Sequence, residues 1–261
     1  QDRAENAIDA IADGVYPTLE FARGVADLVR SDSNPLRKLG AVASLRLGVN
    51  VPIAVHVLIE DRAERTGSRG IDLLLIDALE TCPVDWAPAM QSIVIDFRSL
   101  TSLGRVLLSR PSLCSRVPAL TYTGLSSQSF EVRCDYACAT ARCGVPAMVS
   151  DAVDHLVPLF EQALDREDKL RVERLVHAIA CTGTTGRPAI PALLRSIGRI
   201  HRSTIEDVVE AISACAEPTD EPAIVEAAQR SSDDQVRRTL DRTAKRVRDG
   251  LRPKLTGCGP R

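Results

Sequence analysis

Apolar residues recur along this chain at i, i+3/i+4 and i+7, as in GIDLLLIDALETC (70–82), VERLVHAIACTG (172–183) and IEDVVEAISAC (205–215). That spacing puts one apolar stripe on each segment and predicts amphipathic helices; no strand-like alternation competes with it. A second pattern punctuates the first. VPIAVHVLI (51–59), APAMQSIV (87–94), VPAL (117–120), VPAMVSDAV (145–153), RPAIPALLRSI (187–197) and EPAIVEAA (221–228) each open on a proline followed by apolar residues at helical spacing. Proline is tolerated in a first turn, where its missing N–H has no partner to lose, so Pro52, Pro88, Pro118, Pro146, Pro188 and Pro222 mark helix starts. Their intervals are 36, 30, 28, 42 and 34 residues, and Pro17 extends the series backwards by 35.

Between the prolines lies a series of alanines, Ala10, Ala43, Ala78, Ala139, Ala178, Ala211 and Ala244, each in the second half of an amphipathic run. Two helices per unit of about 33 residues gives roughly eight units in the chain. LTSLGRVLLSRP (100–111) reads as a degenerate unit. The 42-residue interval, with Pro158 as a further helix start, predicts an extra turn or short helix near 146–157. Helix pairs of this period bury their apolar faces by stacking on neighbours, so the expected fold is all-α, an α-solenoid formed as a single domain over 1–261. Its irregular repeat falls near 98–130, and a basic capping helix closes it at 233–250.

The PAIPALL opening, polar turn and Ala-rich second helix resemble HEAT repeats. The likeness is greatest to the short repeats of bacterial HEAT-repeat proteins and phycobilin lyases. It covers nearly the whole chain, best over 158–249 and poorest over 98–130. The resemblance specifies architecture far more than activity. It implies either a scaffold that presents its second helices as a concave protein-binding surface, or a lyase or isomerase acting on a bulky prosthetic group.

Composition narrows this picture. Hydrophobic residues are 44% of the chain but aromatics only 3%, so its helices must pack through Ala, Val, Leu and Ile. Charged residues at 26% and a net charge of −2 describe an ordinary water-exposed surface, and no apolar run reaches membrane-spanning length. The chain opens on a polar helical stretch, QDRAENAIDAIADG, rather than an apolar leader. Charge is unevenly spread. From Arg230 to Arg261 there are ten Lys and Arg against four Asp and Glu. Arg238, Arg242 and Lys245 share a basic face there, a candidate contact for an anionic partner such as nucleic acid, an acidic protein or lipid headgroups. Acidic residues fall instead on second helices, Asp72, Asp77 and Glu80 in one unit and Glu206, Asp207 and Glu210 in another. They are the candidate contacts for a basic protein partner.

The eight cysteines lack the tight spacing of a disulfide framework. In CDYACATARCG (134–144), Cys134 and Cys138 share a helical face while Cys143 lies opposite, so the three cannot ligate one metal. Cys82, Cys143 and Cys215 each follow a repeat alanine by four residues, where small residues fill close helix contacts. Buried reduced thiols, and with them a cytoplasmic location, are expected; disulfides would instead point to a secreted or periplasmic protein.

Other motifs carry less. CTGTTGRP (181–188) resembles the phosphate loop of adenylate-forming ligases, but Ala189 stands where their lysine belongs and no strand precedes it. A Gly-rich turn between helices is the simpler reading, and no P-loop lysine follows either. His177 and Cys181, four apart on one helix, could touch, but the sequence supplies no orienting group or oxyanion hole, so packing is expected. Asp85 beside Trp86 is similar to the Asp and aromatic neighbours of HEAT-like DNA glycosylases; a lone Trp offers little for base stacking, so a helix-start role is favoured. No catalytic residue, cofactor or metal site is assigned. The leading reading is a non-catalytic interaction module whose partner is another protein.

Overall fold

The computed structural model describes residues 19–64, 69–94, 96–253 and 258, and the side chains of these except 61–64 and 69–73. The expected helix around Ala10 and the start at Pro17 lie outside the described residues. The fold is all-α, with no strand among the described residues. Nor is any described helix long and apolar enough to cross a membrane.

The helices are α1 (Leu19–Asp27), α2 (Asn34–Leu47), α3 (Val51–Glu64), α4 (Arg69–Glu80), α5 (Ala87–Ile93), α6 (Phe97–Ser109) and α7 (Pro118–Leu125). They continue as α8 (Phe130–Ala141), α9 (Pro146–Asp165), α10 (Lys169–Cys181), α11 (Ile190–Ser196), α12 (Ile205–Cys215), α13 (Glu221–Arg230) and α14 (Asp234–Arg248). Prolines occupy the first turns of α5, α9 and α13. Pro118 opens α7, and Pro52 is the second residue of α3. Pro188 is different: it sits inside a 3-10 segment, Gly183–Ala189, and Pro191 occupies the first turn of α11.

The chain gathers into two compact units, one of residues up to Val106 with Arg116–Leu120, the other of Leu107–Ser115 with Thr121 onward. In the first unit α2 is central, packing on α1, α3 and α4 and buried from Lys38 to Leu45. Close approach there requires glycine. A Cβ on Gly40 would lie 2.0 Å from the backbone nitrogen of Val29, far inside contact distance. Ser44, buried on the same helix, donates its hydroxyl to the Ala26 carbonyl at 3.2 Å.

The second unit holds helix pairs in sequence. In it α9 packs between α8 and α10, α10 contacts α8 and α12, and α12 contacts α14. Polar links between neighbouring pairs recur at the same spacing. Arg195 donates to Glu161 at 2.7 Å and Arg199 to Asp165 at 2.6 Å, each 34 residues apart. The Arg187 guanidinium reaches Glu217 at 2.8 Å and Asp220 at 2.9 Å. Side-chain oxygens cap the helix starts: Asp168 accepts from the Arg171 N–H, and Asp233 accepts from the N–H groups of Gln235 and Val236. These two bonds hold the Asp233 carboxyl below its ordinary value, the one from Val236 contributing most.

Repeat alanines mark the tightest contacts. Ala43, Ala78, Ala139 and Ala211 are fully buried, and Ala178 and Ala244 nearly so. One sequence expectation fails. No extra helix interrupts 146–157; α9 runs unbroken for 20 residues with Pro158 inside it. Its apolar stripe (Met148, Ala152, Val153, Leu156, Leu159, Phe160, Ala163) stays buried on one face throughout. Pro158 is on the exposed side with Asp154, so the carbonyl that loses its intrahelical donor can turn to water.

Leu175, fully buried on α10, lies where that helix packs among α8, α9 and α12. Leu175→Ala is expected to cost about 2–5 kcal/mol, from lost transfer energy and the cavity left behind. Denaturant unfolding followed by helical circular dichroism measures it. A loss under about 1 kcal/mol would show that the surrounding helices collapse onto the gap.

Candidate functional site

On α12 the buried face (Val208, Val209, Ala211, Ile212, Ser213, Ala214, Cys215) leaves Glu206, Asp207 and Glu210 exposed on the other side. Asp207 is pushed above the ordinary carboxylate range by desolvation, then by repulsion from Glu173 on α10 and from Glu206. His177, also on α10, offsets this in part. Glu173 is thus a fourth member of the acidic group that the sequence reading did not single out.

Glu161, Asp165, Glu217, Asp220, Glu221, Glu226 and Asp234 all form ion pairs with arginines in this unit. Glu206, Asp207 and Glu210 form none among the described residues. Lys169 pairs with Glu173 only at 3.8 Å.

Beside the acidic group runs a groove of about 310 Å³ between α12 and α14, lined by Glu206, Glu210, Arg242, Arg246 and Thr239, with Pro253 at its edge. Candidates for two different partners therefore share one groove. Arg242 lines it together with Glu206 and Glu210, while Arg238 and Lys245 are exposed and do not line it. Arg238 and Arg242 also donate to carbonyls of their own helix, at Asp234 and Arg238. Asp77 and Glu80 are half-buried on α4 in the first unit, and the side chain of Asp72 lies outside the described residues.

A larger groove of about 930 Å³ lies between α11 and α13 with an apolar floor that includes Pro191, Leu194, Ile197, Ala223 and Ala227. Its charged rim is already engaged. Arg187 holds Asp220, Arg195 holds Glu161, Arg230 pairs with Glu226, and Asp233 caps α14. This groove presents no acid and base converging on a common point.

The other sequence candidates resolve simply. Trp86 is fully buried in the first unit under the Arg116 guanidinium, 5.5 Å from the ring centroid, so no base can stack on it. Asp85 accepts the Ala87 N–H at 3.1 Å, the helix-start role expected of it. Residues 183–189 form the 3-10 turn between α10 and α11, with no strand before it.

Six cysteines, Cys82, Cys114, Cys134, Cys138, Cys143 and Cys215, are buried free thiols. Burial pushes the Cys114, Cys134 and Cys215 thiols up to about 12 and raises Cys138 and Cys143 as well. These five are protonated and inert at neutral pH, as small core residues should be. Cys134 to Cys143 close α8, and Gly144 turns the chain at φ +76° before α9. The Cys138 thiol meets the Arg174 carbonyl at 3.7 Å, and the Cys215 thiol meets that of Ile179 at 3.4 Å.

The seventh and eighth cysteines depart from expectation. Cys181, at the end of α10, is half-buried and bonded to half-buried Cys258, 77 residues on. His177 is exposed, and its Nε2 lies 3.6 Å from the Cys181 sulfur. Partial desolvation, helped by the Arg142 guanidinium, holds the imidazole below its ordinary value and so favours the neutral form. The pair read as packing is a surface cluster of two sulfurs and a histidine. The His-x₃-Cys spacing was legible, but nothing local marked Cys258 as the third member.

No protein-family model matches this chain, and no curated protein sequence is similar to it.

Two outcomes follow. Denatured without reductant, the chain should expose six alkylatable thiols, and eight after reduction, counted by intact mass; eight in both would mean the Cys181–Cys258 bond does not form. For Asp207 the folded carboxyl binds its proton more tightly than the unfolded one, so stability falls as pH rises from the ordinary carboxylate value through the raised one. Asp207→Asn removes that penalty. It is expected to raise the melting temperature at pH 7 and to flatten the pH dependence, measured by thermal scans from pH 3 to 7.

Proposed function

We propose that this protein is a non-catalytic interaction module, a short HEAT-like solenoid of about eight helix pairs whose second helices contact a protein partner bearing a basic segment. The observation that carries the reading is the electrostatic isolation of Glu206, Asp207 and Glu210. Where arginines answer Glu161 and Asp165 nearby, these three form no ion pair among the described residues, and Asp207, partly desolvated and repelled by Glu173 and Glu206, has its carboxyl raised. A surface that holds like charges together at the expense of its own stability is suited to receive opposite charge from outside. Arg242 and Arg246 bound the acidic group on one side and supply register, requiring an acidic residue on the partner next to its basic ones.

Two alternatives have less support. A lyase or isomerase needs an acid and base converging on a pocket, and the charged residues around the larger groove are held in ion pairs or a helix cap. Nucleic-acid binding through Arg238, Arg242 and Lys245 is disfavoured because Arg242 shares its groove with two carboxylates, which repel phosphate. Six free thiols outnumber the one Cys181–Cys258 disulfide, which by itself points to an oxidising compartment, and on that balance we include a reducing, cytoplasmic setting in the proposal.

The test is affinity capture from cells that express the chain natively, comparing wild type with E206Q/D207N/E210Q. The variant should keep its helical spectrum and lose the partner recovered by wild type. A purified pair should weaken about tenfold or more at low salt, the difference shrinking as salt rises. A partner retained equally by both proteins would overturn this surface as the contact.

A further inference from the structure

The His177, Cys181 and Cys258 cluster has the composition and spacing of a metal centre that has closed into a disulfide. The three side chains offer one imidazole nitrogen and two sulfurs, all within 4.8 Å of one another. Two of them, His177 and Cys181, sit one turn apart on α10, so the helix fixes their separation at 3.6 Å. In a tetrahedral zinc centre, metal–sulfur bonds of about 2.3 Å and metal–nitrogen bonds of about 2.0 Å place sulfur and nitrogen roughly 3.5 Å apart and two sulfurs roughly 3.8 Å apart. The helical pair is already at that edge length. Only the Cys258 sulfur has to move, and it lies on irregular backbone beyond α14, not in a helix.

Accessibility separates this pair from the other cysteines. Cys181 and Cys258 are half-buried and His177 is exposed, whereas all six remaining thiols are buried. A dissolved thiol can reach the pair, and a cation can approach it.

We propose that His177, Cys181 and Cys258 form a redox-gated site for a zinc-class divalent cation, a disulfide when oxidised and a Cys₂His centre when reduced. Opening is ordinary thiol–disulfide exchange. A small dithiol attacks one sulfur as its thiolate and releases the other cysteine as a thiolate. Its second thiolate then resolves the mixed disulfide, so the protein gains two electrons and the dithiol becomes its own disulfide. The cation takes both cysteine sulfurs as thiolates, their protons passing to solvent, and the lone pair of the neutral imidazole. Solvent completes the fourth position. Closure reverses the sequence: the cation leaves, and a small disulfide accepts the two electrons by the same exchange. The proposal is independent of the interaction reading, because it uses different residues and a different ligand.

The test uses the full chain, reduced with a non-thiol phosphine under argon and titrated with Co²⁺ and then Zn²⁺. Reduced wild type should bind one ion, develop sulfur-to-cobalt charge-transfer absorption with the intense visible bands of tetrahedral Co²⁺, and lose both to stoichiometric Zn²⁺. The oxidised protein should show neither. Cys258→Ser should abolish the charge-transfer signal of a two-sulfur site, and His177→Ala should weaken Zn²⁺ binding at least about tenfold. Circular dichroism of each protein, and of reduced wild type without metal, establishes that the fold is retained. No tetrahedral signal in folded reduced protein, a signal unchanged by Cys258→Ser, an equal signal in oxidised protein, or unfolding on reduction would each overturn the proposal.

Discussion

The constraint on which this molecule depends is that none of its helices can bury its apolar stripe alone. With aromatics at 3% of the chain, there are few large side chains to fill gaps between elements. Contact must come from backbones that approach closely across Ala, Gly and Cys. The fully buried repeat alanines and the 2.0 Å a Gly40 Cβ would leave to Val29 are two expressions of that requirement. So are the buried cysteines, whose thiols serve as small apolar side chains that also meet a carbonyl of the neighbouring pair.

Ion pairs also link helices across the second unit. Arg195 and Arg199 reach carboxylates of α9, and Arg187 reaches Asp220 just before α13. Exposed pairs of this kind contribute little individually. Together they form a background of answered charge. Against it, the unanswered carboxylates of α12 stand out, as does a groove in which those carboxylates face two arginines of α14. A surface can be recognised by which interactions it leaves unmade.

The sulfur chemistry divides along the same line between interior and surface. Six thiols are buried in the packing, and burial raises those of Cys114, Cys134, Cys138, Cys143 and Cys215 out of the reactive range. The remaining two meet outside the helix contacts, beside an exposed histidine. Position in the packing decides which cysteines are structural and which are available to reductants and metals.

The chain itself determined the helical class, the approximate starts at Pro118, Pro146 and Pro222, and the burial of the repeat alanines from Ala43 to Ala244 and of Cys82, Cys143 and Cys215. All of these follow from local periodicity and from proline's missing donor, which act within a few residues. Tertiary structure decided what local rules could not. Pro158 reads as a helix start, yet α9 continues through it because its apolar stripe is buried without interruption and the freed carbonyl has access to water. Glu173 joins the acidic group of α12 only because α10 and α12 pack together. Cys258 completes a cluster with His177 and Cys181 across 77 residues. Such meetings depend on the path of the chain through space, and short-range spacing carries no record of that path.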